Sequence, residues 1–327
     1  MLVKPYPWEN KEKILITAHA FVDPDALGSI LTMGAFLKSN GKEVVLLAKG
    51  GLPKNLQFLL GEQQVVSDLD VPLTAFDLVI IFDCGDLALT QIAGIEKVRE
   101  RILNIDHHHD NANFGQYNWV DISYSSTTQM IYEFLKGSGA DITGVMATSI
   151  LAGLMGDTGS FRHANTNAQT MRVAGEILLK GARRSAVAHN LFAGKTPGQL
   201  KAWSYVLEKA TFDKNSRAII SALTHDDIKE LGVDDEAYEG IVEILNTFPE
   251  ASFAAFVRQR NGEVKFSLRS EEYKGVDVSA LARKFGGGGH KLSAGFTIQG
   301  RLKRDNGNIY IEPLGSLNSK LQSPTSK

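Results

Sequence analysis

A chain of 327 residues with formal net charge −2, 43% hydrophobic and 22% charged residues has the composition of a globular protein, which excludes a disordered chain and one made of membrane spans. Its length favours two domains or one large one, because single hydrophobic cores stop growing at roughly 250–300 residues. The near-neutral charge excludes the broad positive field of a protein that coats long nucleic acid, and the single cysteine, Cys84, excludes an intramolecular disulfide and fits a reducing cytoplasm.

The first apolar run, 14–18, is short and flanked by charges, so neither an export signal nor an anchor is expected. It reads as a buried strand, as do 44–48, 78–82 and 102–105, with helices over 25–40 and 125–136 between or after them. This alternation predicts an α/β fold whose mainly parallel sheet is flanked by helices, with ligands at the carboxyl ends of the strands. Further helices are expected over 143–155 and 167–180, the second closed by Gly181. Polar punctuation at 193–198 and a connecting helix over 199–209 define a linker, 194–216, between a domain over 1–193 and a smaller mixed α/β domain over 217–327. In the latter, 217–223, 252–258, 264–269 and 294–298 read as strands, 238–246 and 278–285 as helices. The Ser/Lys-rich end, 315–327, is expected to fray.

Four polar clusters sit at the ends of apolar elements. His19, Asp23 and Asp25 follow the first strand on a loop entering a helix; Asp83 and Asp86 follow the third; Asp106, His107, His108 and His109 close the fourth; Asp157 ends the helix after Thr143. Asp and Gly after one strand are ordinary turn formers. Four such clusters, supplying several His and at least four Asp, suit a mixed imidazole and carboxylate site for divalent metals. Two hard cations roughly 3.5–4 Å apart need bridging carboxylates and can clamp a phosphoryl group. Further on, residues 256–304 carry eleven Lys or Arg against four acids, which is either a solvated basic face or a receiver for an anionic ligand. The run Gly286–Gly289 before His290 is either a helix cap and turn or a loop whose backbone N–H groups approach phosphate closely.

These motifs resemble those of the DHH phosphoesterases: Asp106-His107-His108 is the family signature, and His19-x-x-x-Asp23-x-Asp25, Asp83 and Asp157-Thr-Gly match its other motifs in order. The stretch Gly286 to His290, continuing to Ala294-Gly295, and the preceding Arg269-Ser270 resemble the DHH-associated C-terminal domain. The resemblance implies two divalent cations, Mn²⁺ before Mg²⁺, with His19, Asp23 and Asp83 holding one and Asp25, Asp83, His107 and Asp157 the other. Asp83 would bridge them, and Asp83 and His108 would be catalytic, His108 by contacting the phosphate. Asp106 would orient His107 from behind. Arg269, Ser270, Gly287, Gly288, Gly289 and His290 would bind the substrate away from the scissile phosphate.

The spacing is similar to that of stand-alone members acting on very short RNAs and on adenosine 3′,5′-bisphosphate, so the expected activity is hydrolysis of such RNAs to mononucleotides, removal of that 3′-phosphate, or both. A cyclic dinucleotide or its linear product is the alternative substrate, and a non-catalytic nucleotide- or RNA-binding module the alternative of another class. All six ligand positions are retained, which disfavours the latter. The glycine-rich motif disfavours a family II pyrophosphatase, and the lack of G-x-G-x-x-G after the first strand disfavours a dinucleotide-binding fold. No membrane and no long duplex DNA is expected as partner, and a homodimer is left open.

Overall fold

The structure, a computed structural model, describes residues 6–193, 195–260, 262–305 and 308–313. The chain divides into two compact units, Met1–Gly194 and Lys195–Lys327.

In the first unit β1 (Lys13–Ala18), α1 (Pro24–Ser39), β2 (Glu43–Leu46), β3 (Leu78–Phe82), β4 (Ile102–Asp106) and β5 (Tyr117–Val120) are followed by α2 (Thr127–Gly137), α3 (Gly144–Asp157), α4 (Ala168–Leu179) and α5 (Arg184–Phe192). The five strands form one parallel sheet in the order β2-β1-β3-β4-β5. Its inner strands β1, β3 and β4 read as largely apolar runs because both faces are buried. Ile14, Ile16, Leu78, Ile80 and Phe82 point into the core built with α1, α2 and α3, while Leu15, Val79 and Ile81 point into a second core with Phe76, Ile95 and Val98. Helix α1 starts where it does because the Asp23 carboxylate accepts from the N–H groups of Asp25 and Ala26, with Pro24 in the first turn. Helix α2 begins two residues later than the sequence suggests, since the Ser126 hydroxyl caps it by accepting from the Gln129 N–H. The expected strand over 44–48 is pulled back to β2, beyond which Leu47 makes only an isolated bridge to Val66.

The second unit comprises α6 (Pro197–Glu208), β6 (Thr211–Asp213), β7 (Ala218–Leu223), α7 (His225–Leu231), α8 (Ile241–Leu245), β8 (Phe253–Arg260), β9 (Glu263–Arg269), α9 (Val278–Arg283), β10 (Gly288–His290), β11 (Ser293–Gln299), β12 (Arg301–Asp305) and β13 (Asn308–Glu312). A six-stranded sheet runs β10-β11-β9-β8-β7-β6, antiparallel save for β7 beside β8, and β12 and β13 form a hairpin. The expected linker 194–216 needs correction. Helix α6 buries Ala202 and Val206 in the same core as Ile219, Leu223 and Phe256, so this segment is part of the second unit. The end expected to fray, 315–327, lies outside the described residues. Among the described residues no helix is long and apolar enough to cross a membrane.

Candidate metal centre

The parallel sheet brings the polar clusters together. Strands β1, β3 and β4 are neighbours, and each hands the chain to a polar residue at its carboxyl end: His19, Asp83, and Asp106 with His107 and His108. Helix α1 opens beside them with Asp23 and Asp25, and α3 ends on Asp157.

Three overlapping groups of donor atoms result, each within 4.8 Å of one another: His19, Asp23 and Asp83; Asp25, His107 and Asp157; and Asp83, Asp106, His107 and His108. Asp83 lies at the centre. Its Oδ2 is 3.8 Å from His19 Nε2, and its Oδ1 is 3.6 Å from His107 Nε2 and 3.4 Å from His108 Nδ1. It adopts a left-handed backbone, φ +51°, which Asp tolerates better than most residues and which turns the chain sharply as it leaves β3.

Backbone contacts aim the imidazoles. His19 Nδ1 is 2.9 Å from the Ala20 carbonyl and His107 Nδ1 is 3.3 Å from that of Tyr124, which leaves both Nε2 atoms facing carboxylates. His107 Nε2 is buried and makes no hydrogen bond, although Asp157 Oδ2 is only 3.0 Å away. Close approach without hydrogen-bond alignment is the relation of two ligands of one cation, and the mixed imidazole and carboxylate donors suit a divalent metal. The residues present therefore fit metal ions.

Asp106 corrects one expectation. Its Oδ1 accepts from the N–H groups of His107 and His108 and lies 2.6 Å from His108 Nδ1, so the ring it orients is that of His108 and not of His107. The turn out of β4 explains this: it folds the second imidazole, not the first, back over the carboxylate.

The electrostatics follow from crowding five carboxylates with three imidazoles. Burial, then Asp83 and Asp157, push Asp23 up to about 6 and raise Asp25 well above the carboxylate range. Burial also works to raise Asp83, but the imidazoles of His107, His108 and His19 outweigh it and hold this acid below its ordinary value. For His107 and His108 burial opposes the proton and the carboxylates win, with His108 raised to about 9. A cluster that retains protons in this way has an excess of negative charge that cations would neutralise.

Several supporting residues escaped the sequence reading. At the start of α2 the Thr127 and Thr128 N–H groups donate to the two oxygens of Asp25 at 2.6 and 3.0 Å, and the Thr128 hydroxyl adds a bond of 2.6 Å. The Thr127 hydroxyl donates to Asp83 Oδ1 at 3.3 Å. The polar run Ser125 to Thr128 before an apolar helix signals a cap, but nothing local says that the cap holds Asp25. Asn111 Nδ2 is 2.6 Å from Asp106 Oδ2 and 2.8 Å from Asn104 Oδ1, tying the turn after β4 to the sheet. Gly153 of α3 faces Asp25 so closely that a Cβ there would overlap Asp25 Oδ1 and Thr128 Oγ1. Of the residues given no role from sequence, Asp86 caps the turn at 87–90 and His163 Nδ1 is 3.0 Å from the Asp157 carbonyl.

The second unit holds the other expected residues. Arg269 Nε donates to Glu243 at 2.7 Å and its Nη1 to the Leu268 carbonyl at 2.9 Å. Ser270, expected to bind substrate, is buried with its hydroxyl donated to the Ser252 carbonyl at 2.9 Å, so that proton is committed within the unit. Gly288, Gly289 and His290 form the edge strand β10 paired with β11. At Gly287 and Gly289 a Cβ would overlap the backbone of β11, whereas Gly288 has open space.

Residues 13–155 match the model of the DHH family, N-terminal domain, and residues 215–308 that of the DHHA1 domain. A bifunctional oligoribonuclease and PAP phosphatase NrnA from Thermus thermophilus is 32% identical over 88% of this chain and 84% of its own length. The protein of the same name from Bacillus subtilis is 27% identical over 88% and 90%. The crystal structure of an exopolyphosphatase-related protein from Bacteroides fragilis superposes with a TM-score of 0.82 at 25% identity, covering 89% of this chain and 88% of that one.

Proposed function

The chain belongs to the DHH family of phosphoester hydrolases, and on that premise we propose that it cleaves RNAs a few nucleotides long to mononucleotides and removes the 3′-phosphate of adenosine 3′,5′-bisphosphate. The observation that carries this reading is the pair of donor trios, His19-Asp23-Asp83 and Asp25-His107-Asp157, with Asp83 close to both, in a chain similar over most of its length to enzymes named for these two activities.

In this reading His19, Asp23 and Asp83 would hold one divalent cation and Asp25, Asp83, His107 and Asp157 the other, Mn²⁺ in preference to Mg²⁺ because two imidazoles join the carboxylates. When bound, two such ions polarise a phosphoryl group and the water that attacks it. The residues then divide the work. Thr127 and Thr128 fix Asp25 so that no reorganisation is needed when substrate arrives. Asp106 keeps His108 oriented, which holds its imidazole 3.4 Å from Asp83, beside the cluster where negative charge grows on the phosphoryl and leaving-group oxygens. Arg269, Gly288 and His290 receive the part of the nucleotide remote from the scissile bond, with Gly287 and Gly289 shaping the strand. The reading sets the protein to work in the cytoplasm.

The test is a parallel assay of purified protein with Mn²⁺ on an RNA dinucleotide, adenosine 3′,5′-bisphosphate, a cyclic dinucleotide and pyrophosphate. Turnover of the first two, lost on chelation and restored by Mn²⁺, is expected. Turnover of only the cyclic dinucleotide or only pyrophosphate would overturn the reading.

A further inference from the structure

Between His19 and Asp23 the chain alternates sharply in burial. Ala20 and Val22 are packed inside, while the Phe21 side chain is 66% exposed. Its backbone is held in the left-handed region at φ +58°, where a bulky residue without Asn- or Asp-like local bonding is rare. Two hydrogen bonds hold it there: the Ala20 N–H to the Leu89 carbonyl and the Phe21 N–H to the Lys49 carbonyl, both 2.8 Å. The ring rests on Gly50, whose Cβ position would lie 2.7 Å from ring Cδ1, so any larger residue at 50 would push it away. Leu89, whose carbonyl receives the first of these bonds, is 53% exposed.

An aromatic ring is thus presented outward by a backbone that is unfavourable for it, two residues from one candidate ligand and two from the next. Neither core packing nor solvent rewards that arrangement, and strain sustained beside a reactive centre is a mark of function. A flat π-surface is what would cover such a ring, and every nucleobase has one. Building on the proposed function, we infer that Phe21 is a specificity residue that stacks on the nucleobase adjoining the scissile phosphate, so that the first unit reads base as well as phosphate.

The experiment compares wild type, Phe21→Ala and Phe21→Trp on an RNA dinucleotide and on its counterpart lacking the bases. Phe21→Ala is expected to lower kcat/KM for the dinucleotide by about 5- to 150-fold, mainly through KM, with no change on the abasic compound. Phe21→Trp should restore the dinucleotide activity, and the emission it adds over wild type should be quenched by adenosine monophosphate. Because the side chain is exposed, the melting temperatures of both variants should stay near that of wild type. Equal losses on the two substrates would assign Phe21 to the shape of the loop, and no loss on either would leave it without a role; each overturns the inference while the proposed function stands. A wild type inert on the dinucleotide removes the proposed function, and the inference with it.

Discussion

His108, 2.6 Å from Asp106, has a pKa of about 9 against an ordinary 6.5, because the carboxylates of Asp106 and Asp83 outweigh burial. A histidine raised on folding contributes stability that is whole below about 6.5 and fades as pH rises through about 9. In chelator-treated protein the His108 ring should therefore titrate near 9 by NMR, and Asp106→Asn should bring that midpoint down; a wild-type midpoint near 6.5 would mean that the contact does not hold a proton. Asp83 is central to the proposed ligand sets, and Asn tolerates its left-handed φ of +51° equally well. Asp83→Asn should thus fold normally, lose tight Mn²⁺ binding in calorimetry and lose several decades of kcat on every substrate. Near-normal turnover would reassign the ligands. The types of these residues were legible in the sequence because each follows an apolar run. Their partners were not: whether Asp106 serves His107 or His108 depends on how the turn folds back, which spacing does not encode.

At the scale of elements, the end of the first unit that carries the carboxylate and imidazole cluster depends on α3 packing against α1 and the start of α2. Ala has higher helix propensity than Gly, so Gly→Ala inside a helix ordinarily stabilises by about 0.5–1 kcal/mol. At Gly153 the sign should reverse, because the added methyl meets Asp25 Oδ1 and Thr128 Oγ1 where the neighbours are backbone-anchored and fully buried. Overpacking of that kind costs about 1–3 kcal/mol, and here it also moves a proposed ligand. Urea unfolding and Mn²⁺ titration of Gly153→Ala should show both losses together; a stabilised variant with unchanged metal affinity would mean that α3 yields freely. The same scale shows where sequence reading stops. Strands β1, β3 and β4 were readable because burial on both faces forces continuous apolar residues. Strand β5 was not, since Tyr117 and Asn118 are exposed on the sheet edge and only Trp119 is buried. Strand β10 hid in a glycine run because what makes it a strand is pairing with β11 through a tight turn, and not any side-chain pattern. Helix α6 was expected over 199–209 but as part of a linker, because nothing local in the sequence says that Ala202 and Val206 pack into the core of the second unit.

At the scale of the whole chain, the candidate metal-ligating side chains among the described residues lie in one unit, and the basic surplus with the glycine-rich strand in the other. Such a division predicts that chemistry and recognition separate under mutation. The Arg269 guanidinium is pre-oriented by Glu243 and the Leu268 carbonyl, so it can meet an anion with little loss of side-chain freedom. A charged hydrogen bond contributes about 1.5–3 kcal/mol, which makes the expected loss in kcat/KM for a dinucleotide on Arg269→Ala roughly 10- to 150-fold. Part of that loss falls on kcat if remote binding energy helps to position the scissile bond. A small phosphodiester that engages only the metal centre should be cleaved as before by Arg269→Ala, whereas His107→Ala, which deletes the buried Nε2 donor, should abolish both reactions. Because the Arg269→Ala change also strips Glu243 of its partner, Glu243→Gln is the control: it keeps the guanidinium and removes only its anchor charge. Intact activity in Glu243→Gln with selective loss in Arg269→Ala assigns the arginine to substrate. Equal losses on both substrates for Arg269→Ala would assign it to the fold of the second unit and return the recognition of short nucleotides to the first.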